Sequence, residues 1–188
     1  MPRRPDPDLE NRILDAAQKL WKKAGEKGLT MRTVAKAAGT NTPAVYRRFR
    51  DRDDILRALV QRIRLEFTAL VAKASSPEEV AELYLDFALS HVHEYELFYQ
   101  HEYEVFYSRR SSHSGNKPGR PGMEAVKRKL AAKFGGSPDD HSQLGMALWM
   151  LAHGAAMLLI AKSILPKDAE MARAVFTDSV RALLHQRE

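Results

Sequence analysis

The sequence predicts an all-α fold of about nine helices. Apolar residues recur at three- and four-residue intervals through most of the 188 residues, which is the spacing of an amphipathic helix. No segment alternates apolar and polar residues as a half-buried strand does. Serine, threonine, asparagine and proline stand just before the periodic segments, where such residues cap helix N-termini.

The first periodic segment predicts a helix over 7–24, and Gly25 and Gly28 are expected to end it. Thr30 is placed to cap a short second helix over 31–38.

A turn and a third helix follow. Gly39 has no Cβ, so it can adopt the left-handed conformation that a sharp turn needs. Asn41 or Thr42 is expected to cap the third helix, with Pro43 in its first turn, where the missing N–H would have no partner. A fourth helix is expected to begin near Arg52.

The next helix begins with a capping signal. Ser76 and Pro77, followed by Glu79 three residues after the serine, predict a capping box with proline at the first helical position. The pattern predicts a helix over 78–93, followed by an aromatic-rich helix to about Phe106.

The rest of the chain is divided by loop signals. The stretch 108–122 contains no large apolar residue and predicts one long loop. An amphipathic helix is expected over 123–134, a further helix after the Ser137–Pro138 cap, and a last helix over 167–185.

The net charge of +6 is unevenly distributed. Residues 1–57 hold 14 Lys and Arg against 8 Asp and Glu, whereas 58–188 hold 16 against 16. This asymmetry indicates a polyanion-binding domain on a neutral body, although a merely solvated basic face would carry the same charge. We therefore expect a helix-turn-helix DNA-binding domain at 1–51 and a helical ligand-binding and dimerisation domain at 52–188.

Cysteine is absent, which excludes a disulfide framework and thiolate metal ligands. The first ten residues are polar and proline-rich, without the apolar run of a secretory signal. We expect a cytoplasmic protein.

The third helix has the properties of a recognition helix. Val45 and Phe49 share one face and are expected to pack inward, while Pro43 and Arg47 point the opposite way. Arginine can pair bidentately with guanine, and the Tyr46 hydroxyl can meet phosphate. The alternative is an ordinary helical hairpin with surface arginines. The residues expected to contact DNA are Arg32, Thr33, Asn41, Thr42, Pro43, Ala44, Tyr46, Arg47, Arg48 and Arg52.

This region resembles the DNA-binding region of TetR-type transcriptional regulators. The matching residues are Leu29-Thr30-x-Arg32-x-Val34-Ala35, Ala38-Gly39, Pro43-x-Val45-Tyr46-x-x-Phe49 and Arg52-x-x-x-Leu56. The resemblance covers about 9–60 and implies that Arg32, Thr42, Pro43 and Tyr46 contact bases or nearby backbone, and that Arg52 contacts phosphate. The chain departs from the usual family residues at Asn41, Arg47 and Arg48, which bears on the operator sequence.

The C-terminal half carries a weaker resemblance. Trp149, His153 and Gly154 are similar to the Trp-His-Gly signature of one TetR C-terminal subfamily. His153 is interpreted either as a ligand contact or as a core histidine hydrogen-bonded between helices.

Aromatic residues recur at helical spacing along the aromatic-rich helix: Tyr95, Phe98, Tyr99, Tyr103, Phe106 and Tyr107. This aromatic stripe predicts a pocket for a flat or apolar ligand, although such a stripe is also typical of a core. Glutamates on the same helix, among them Glu94, would select a cation if they turned inward. The residues expected to bind a small molecule are Phe98, Tyr99, Tyr103, Phe106, Trp149, Met150 and His153.

The segment 144–161 contains 18 uncharged residues, the lower limit for a membrane span. A helix buried in a core and a subunit interface has the same composition, and we favour this interpretation, with no membrane partner. The resemblance implies that the last two helices pair with their copies in a homodimer. The residues expected at that interface are Leu151, Ala155, Leu158, Ala172, Val175, Phe176, Val180 and Leu183.

Catalysis is not expected. His91 and His93 diverge by about 160° on a helix and cannot share a metal. We see no phosphate-binding glycine loop or nucleophile elbow, and we expect no cofactor and no metal. The predicted function is a repressor that binds a palindromic operator as a homodimer and is released by a small ligand. The alternatives are a membrane-associated helical protein and a small-molecule-binding helical protein with metal or catalytic histidines.

Overall fold

The structure is a computed structural model that describes residues 8–107 and 121–185. Those residues form nine α-helices and contain no strand, which confirms the predicted fold class. The helices are α1 (Leu9–Ala24), α2 (Met31–Ala37), α3 (Thr42–Tyr46), α4 (Arg52–Ala72), α5 (Pro77–Ser90), α6 (Val92–Tyr107), α7 (Pro121–Phe134), α8 (Ser142–Ile160) and α9 (Ala169–His185). Short 3-10 helices occupy Gly25–Gly28, Pro138–His141 and Pro166–Asp168.

The chain divides into two compact units. The first combines Met1–Ile63 with His93–His113, and the second combines Arg64–Val92 with Ser114–Glu188. The start of α6 therefore belongs to the same unit as the helix-turn-helix, although it lies far from it in sequence. The domain boundary expected at residue 51 stays a prediction.

The core of the first unit lies between α1, α2 and α3, which pack in sequence order. Ile13, Val34 and Val45 are fully buried there, one from each helix. The small side chains of Ala17 and Ala35 are also buried. Small residues at these positions leave room for α1 and α2 to pack against each other.

Helix α8 lies at the centre of the second unit and packs against α5, α7 and α9. Leu148 and Ala152 are buried on it. The Arg173 guanidinium on α9 reaches Glu82 and Asp86 on α5, and the hydrogen bonds from Arg173 to these carboxylates raise the pKa of the guanidinium. This pairing fastens α9 to α5.

Several predicted boundaries were wrong. Helix α5 ends at Ser90, because His91 adopts a non-helical conformation with φ −129° and ψ 46°, and neither glycine nor proline marks that break. Helix α7 begins at Pro121, so the predicted loop includes two helical residues, while its remainder, 108–120, lies outside the described residues. The chain after Ser137 first forms a 3-10 turn, and α8 starts at Ser142.

The capping box predicted at Ser76 forms only in part. The Ser76 hydroxyl accepts a hydrogen bond from the Glu79 N–H at 3.2 Å. The Glu79 carboxylate, however, accepts from the backbone N–H and the hydroxyl of Ser75, one residue earlier than expected. Those two hydrogen bonds lower the pKa of the Glu79 carboxyl.

Candidate nucleic-acid interface and apolar crevice

Reciprocal hydrogen bonds fix the start of α2. The Thr30 hydroxyl accepts from the Thr33 N–H at 3.1 Å, and the Thr33 hydroxyl accepts from the Thr30 N–H at 2.9 Å. The Thr33 hydroxyl also lies 2.9 Å from the carbonyl oxygen of Gly28, to which it can donate. Thr33 thus joins the end of the 3-10 helix at Gly28 to the start of α2, which is a structural role.

The turn between α2 and α3 depends on Gly39. Its φ is +65°, in the left-handed region, and a Cβ added there would meet no atom within 4 Å. Backbone conformation, rather than lack of space, therefore favours glycine at this position. The Thr40 N–H donates to the Ala35 carbonyl at 3.0 Å, which closes the end of α2.

Asn41 caps the third helix. Its Oδ1 accepts a hydrogen bond from the Ala44 N–H at 2.9 Å, and Pro43 occupies the first turn. Of the two caps that the sequence allowed, the structure selects Asn41. Because α3 has only 5 residues, it depends on this cap and on its buried face for its conformation.

Replacing Asn41 by alanine is expected to destabilise the protein by about 1 kcal/mol, because the Ala44 N–H loses its acceptor. Replacing it by serine should retain most of the stability, since serine caps nearly as well. Urea denaturation followed by circular dichroism measures both changes. Asn11→Ala is the matched control, because Asn11 is exposed on α1 and its side-chain amide donates to the Asp8 carboxylate. Equal losses in the Asn41→Ala and Asn11→Ala variants would contradict the capping role.

The outer edge of α3 is polar and open. Val45 is buried, whereas Tyr46 is 54% exposed and Pro43 and Arg47 are also exposed. Arg47 follows the last helical residue as its C-cap. This edge presents a phenol and a guanidinium side by side, the combination that serves phosphate and base contacts.

Other residues expected at DNA have mixed surroundings. Arg32 and Arg48 are exposed and Thr42 is half-buried, whereas Ala44 is only 4% exposed. Burial of Ala44 favours a packing role for it in the free protein.

Arg52 braces the helix-turn-helix from within the first unit. Its Nε donates to the Leu29 carbonyl at 3.0 Å, and its Nη2 donates to the Glu26 carboxylate at 3.0 Å. The sequence indicated a phosphate contact for this residue and did not indicate the brace. Local sequence patterns could not indicate these hydrogen bonds, because the two partners of Arg52 lie 23 and 26 positions away in the chain.

The start of α4 is capped by two carboxylates. Asp51 accepts a hydrogen bond from the Asp54 N–H at 2.7 Å, and Asp54 accepts one from the Arg50 N–H at 3.0 Å. These backbone hydrogen bonds, with the nearby arginines, hold the pKa of both carboxyls below its ordinary value. Both carboxylates are thus charged at neutral pH and stabilise the first turn of α4.

A narrow apolar crevice lies between α5, α7 and α8 in the second unit. Trp149 borders it, and its ring stacks on His153 with centroids 5.4 Å apart. The Tyr84 hydroxyl lies 3.3 Å from His153 Nδ1, close enough to share a hydrogen bond. Sequence reasoning missed Tyr84. The lining residues are Val80, Ala81, Tyr84, Gly122, Met123, Val126, Gly145, Leu148, Trp149 and Ala152.

A second apolar surface is a groove along α8 and α9. Leu158 and Val175 are exposed along it, whereas Phe176 is only 2% exposed and lies at its base. The groove contains six of the eight residues expected at a dimer interface: Leu151, Ala155, Leu158, Ala172, Val175 and Phe176. Val180 is buried within the subunit and Leu183 is half-buried.

Two family models match the chain in tandem. Residues 13–59 match "Bacterial regulatory proteins, tetR family", and residues 78–183 match "Tetracyclin repressor-like, C-terminal domain". The chain belongs to the TetR family. Its members are regulators rather than enzymes. The likeness to the Trp-His-Gly subfamily stays a prediction.

Several solved structures share this fold. A protein of unknown function from Rhodococcus sp. RHA1 is 24% identical, with a TM-score of 0.71, and 99% of this chain and 97% of that chain are covered. The multidrug binding protein EbrR, solved in complex with imidazole, is 26% identical, with a TM-score of 0.59 and coverage of 95% and 93%. A TetR variant from Acinetobacter baumannii AYE, solved in complex with minocycline, is 19% identical, with a TM-score of 0.62 and coverage of 97% and 96%. No curated protein matches the sequence.

The residues that the sequence assigned to the ligand are not all in one place in this TetR-family chain. Trp149 and His153 lie together at the crevice, whereas Met150 is exposed and belongs to the groove. Phe98 and Tyr99 lie in the first unit, where their rings contact each other. The side chains of Tyr103 and Phe106 lie outside the described residues.

The membrane alternative depends on α8. In the described part of this TetR chain, one stretch, Pro138–Ile160, is long and apolar enough to span a membrane, a test that buried core helices also pass. Helix α8 packs on three neighbouring helices, yet only 28% of the apolar stretch is buried within the subunit. Within 8–107 and 121–185, no three histidine, aspartate or glutamate side chains are grouped so as to hold a metal.

Proposed function

We propose that this chain is a homodimeric transcriptional repressor that binds a palindromic operator and is released by a small apolar or aromatic ligand. The observation that carries the proposal is the exposed edge of α3. Tyr46 and Arg47 stand on it above a buried face, and the cap at Asn41 holds the helix in place. The excess positive charge around this edge, +6 over residues 1–57, favours phosphate. We also propose that the protein acts in the cytoplasm.

The groove along α8 and α9 supports a dimer. Exposed apolar side chains, among them Met150, Leu158 and Val175, line one continuous surface on these two helices. Such a surface is costly to leave in water and suits a second copy of the same helices. The dimer would carry two helix-turn-helix domains, one DNA-binding head from each subunit. Heads about 34–36 Å apart would meet successive major grooves on one face of the DNA.

The crevice supports a ligand site in the second unit. Its walls are aliphatic and aromatic, and the Tyr84–His153 pair is a polar group at its edge. A compact apolar molecule that carries one hydrogen-bonding group would fit this chemistry. EbrR, which shares 26% identity, was solved in complex with imidazole, a small aromatic molecule.

Ligand and operator are proposed to exclude each other through linkage. A ligand that prefers a conformation with wrongly spaced heads lowers operator affinity, and the operator lowers ligand affinity by the same factor. A hundredfold effect corresponds to a coupling free energy of about 2.7 kcal/mol. Helix α4, whose residues belong to both units, is proposed to carry the displacement.

Selection of bound fragments from random DNA, repeated with a panel of small apolar and aromatic molecules, tests the proposal. We expect enrichment of a palindrome and loss of that enrichment with at least one compound. If no sequence is enriched, the proposed function is wrong. If a palindrome is enriched and a compound increases binding, the protein is a regulator but not a ligand-released repressor.

Replacing Tyr84 by phenylalanine is expected to weaken binding of a compound found in that panel by roughly 2- to 10-fold, because one hydrogen bond is lost. Isothermal titration calorimetry with that compound measures the affinity. Tyr95→Phe is the matched control, since Tyr95 is a buried tyrosine of the first unit. Equal effects of both substitutions would exclude the crevice as the site.

A further inference from the structure

The first unit contains a buried carboxylate that is not among the residues expected to contact DNA. Glu94, on the first turn of α6, is 1% exposed. Its Oε1 accepts a hydrogen bond from Gln18 Nε2 at 2.8 Å, and the Lys22 ammonium lies 3.4 Å from the same oxygen. Both partners are on α1, and Gln18 lies 76 residues earlier in the chain. Glu94 therefore joins the start of α6 to the first helix of the DNA-binding head.

A second hydrogen bond reinforces this junction. The Trp21 indole N–H donates to the carbonyl oxygen of His93 at 2.6 Å, and Trp21 is itself buried. The His93 ring also lies 3.5 Å from the position that a Cβ on Gly25 would occupy. The first turn of α6 thus meets α1 through the carboxylate of Glu94 and the backbone carbonyl of His93, and the His93 ring lies beside the 3-10 turn that follows α1.

Burying the Glu94 carboxylate is an energetically unfavourable way to hold α6 on α1. Removing a carboxylate from water costs several kcal/mol, and an apolar pair of similar volume commonly gives equal or greater stability. Glu94 Oε2 has no hydrogen-bond partner among the described residues, so this cost is only partly offset. Directional hydrogen bonds, unlike apolar contacts, fix one register of α6 on α1.

The position of Glu94 in the chain connects it to the crevice. Tyr84 lies on α5, α5 ends at Ser90, and α6 begins at Val92 after a single residue. A displacement of the end of α5 would therefore have only one residue of backbone, His91, between it and α6. Among the glutamates of α6 from which the sequence suggested cation selection, Glu94 is directed at α1 instead.

We propose that Glu94 is a positioning residue that fixes the DNA-reading helices relative to α6, and that Gln18 and Lys22 are the partners on α1 that bind its carboxylate. The inference rests on the proposed DNA binding. An intact junction holds α1, and with it α2 and α3, at one orientation. A loosened junction lets the head sample orientations that do not match the operator, which lowers affinity without removing any DNA contact.

The test uses the full-length protein and a palindromic fragment selected by the wild type. Glu94→Gln keeps the shape of the side chain but loses the charge that attracts Lys22, and we expect roughly 3- to 10-fold weaker operator binding. Gln18→Glu alone places two carboxylates together and should weaken binding further. The exchanged pair, Gln18→Glu with Glu94→Gln, restores the hydrogen bond in the opposite direction and should recover most of the affinity.

Glu96→Gln is the matched control for Glu94→Gln, because it removes the same charge from a partly exposed position two residues along α6. All affinities are measured by fluorescence anisotropy at least about 15 °C below the thermal midpoint of each variant, where the folded state predominates. Under these conditions a purely structural role changes the midpoint but leaves the affinity unaltered.

The outcomes separate the inference from the proposed function. Weaker binding by Glu94→Gln, recovery by the exchanged pair and normal binding by Glu96→Gln support the positioning role. Wild-type affinity in Glu94→Gln, or an exchanged pair that binds no better than Glu94→Gln, overturns it. A wild-type protein that selects no DNA sequence overturns the proposed function instead.

Discussion

Replacing Val175 by glutamate is expected to give a folded monomer that binds operator DNA about 100-fold more weakly than the wild type, or weaker still. Val175 is 59% exposed in the single subunit, so the substitution should not disturb the subunit core. In a dimer formed through the α8–α9 groove, the same side chain would be buried against a partner. A carboxylate without a counter-charge is strongly unfavourable there.

The large effect on DNA follows from the loss of the second head. When two heads are joined, the binding of the first raises the effective concentration of the second, and a monomer forfeits that gain. Sedimentation velocity reports the oligomeric state, and anisotropy with the selected palindrome reports the affinity. We expect both to change together and the thermal midpoint of the subunit to depend less on protein concentration.

Ala174→Glu is the matched control, since Ala174 is an exposed neighbour on α9 that does not line the groove. It adds the same charge to the same helix and should leave the dimer and the affinity intact. A Val175→Glu protein that remains dimeric would place the subunit interface elsewhere. A monomer with unchanged affinity would show that one head suffices for operator binding.

Replacing Arg47 by alanine is expected to cost roughly 1–3 kcal/mol per half-site and to relax base preference at one position in each half-site. Arg47 stands exposed at the end of α3, next to Tyr46. Its planar guanidinium can donate two parallel hydrogen bonds to the O6 and N7 atoms of one guanine. Selection from random DNA with the variant protein measures the preference, and anisotropy measures the affinity.

Arg47→Lys separates base reading from simple charge. Lysine retains the positive charge but lacks the planar fork, so this variant should keep most of its non-specific affinity and still lose selectivity. If both variants keep the wild-type base preference and only their overall affinity falls, Arg47 contacts phosphate. In that case readout belongs to another residue of the same edge, such as Thr42 or Tyr46.

Local patterns in the sequence determined most of the secondary structure and the presence of the head. Helix caps act over three or four residues, so neighbouring residues alone identify Thr30 as a cap and Asn41 as one of two candidates. The left-handed turn at Gly39 is a property of a single residue. Apolar periodicity likewise placed Val45 and Phe49 in the core, where both are buried.

Long-range partners could not be predicted in the same way. Nothing near Arg52 in the sequence indicates that Leu29 and Glu26 will hold it, and the break at His91 has no glycine or proline signal. The sequence pattern predicted no site role for Tyr84, which is one aromatic residue on an amphipathic helix. Its hydroxyl nevertheless lies beside His153 at the crevice, 69 residues away in the chain. Such pairs depend on how helices cross rather than on neighbouring residues.

The sequence alone therefore determined the family, the all-α fold and the basic head, because short-range sterics, capping and charge decide these features. Only the tertiary structure decided which polar side chains face inward and what they meet. Glu94 illustrates the difference: its neighbour His93 is exposed and Glu96 is partly exposed, while Glu94 itself is buried against Gln18. The physical reason is that burial of a charge is tolerated only where a distant helix supplies its partner.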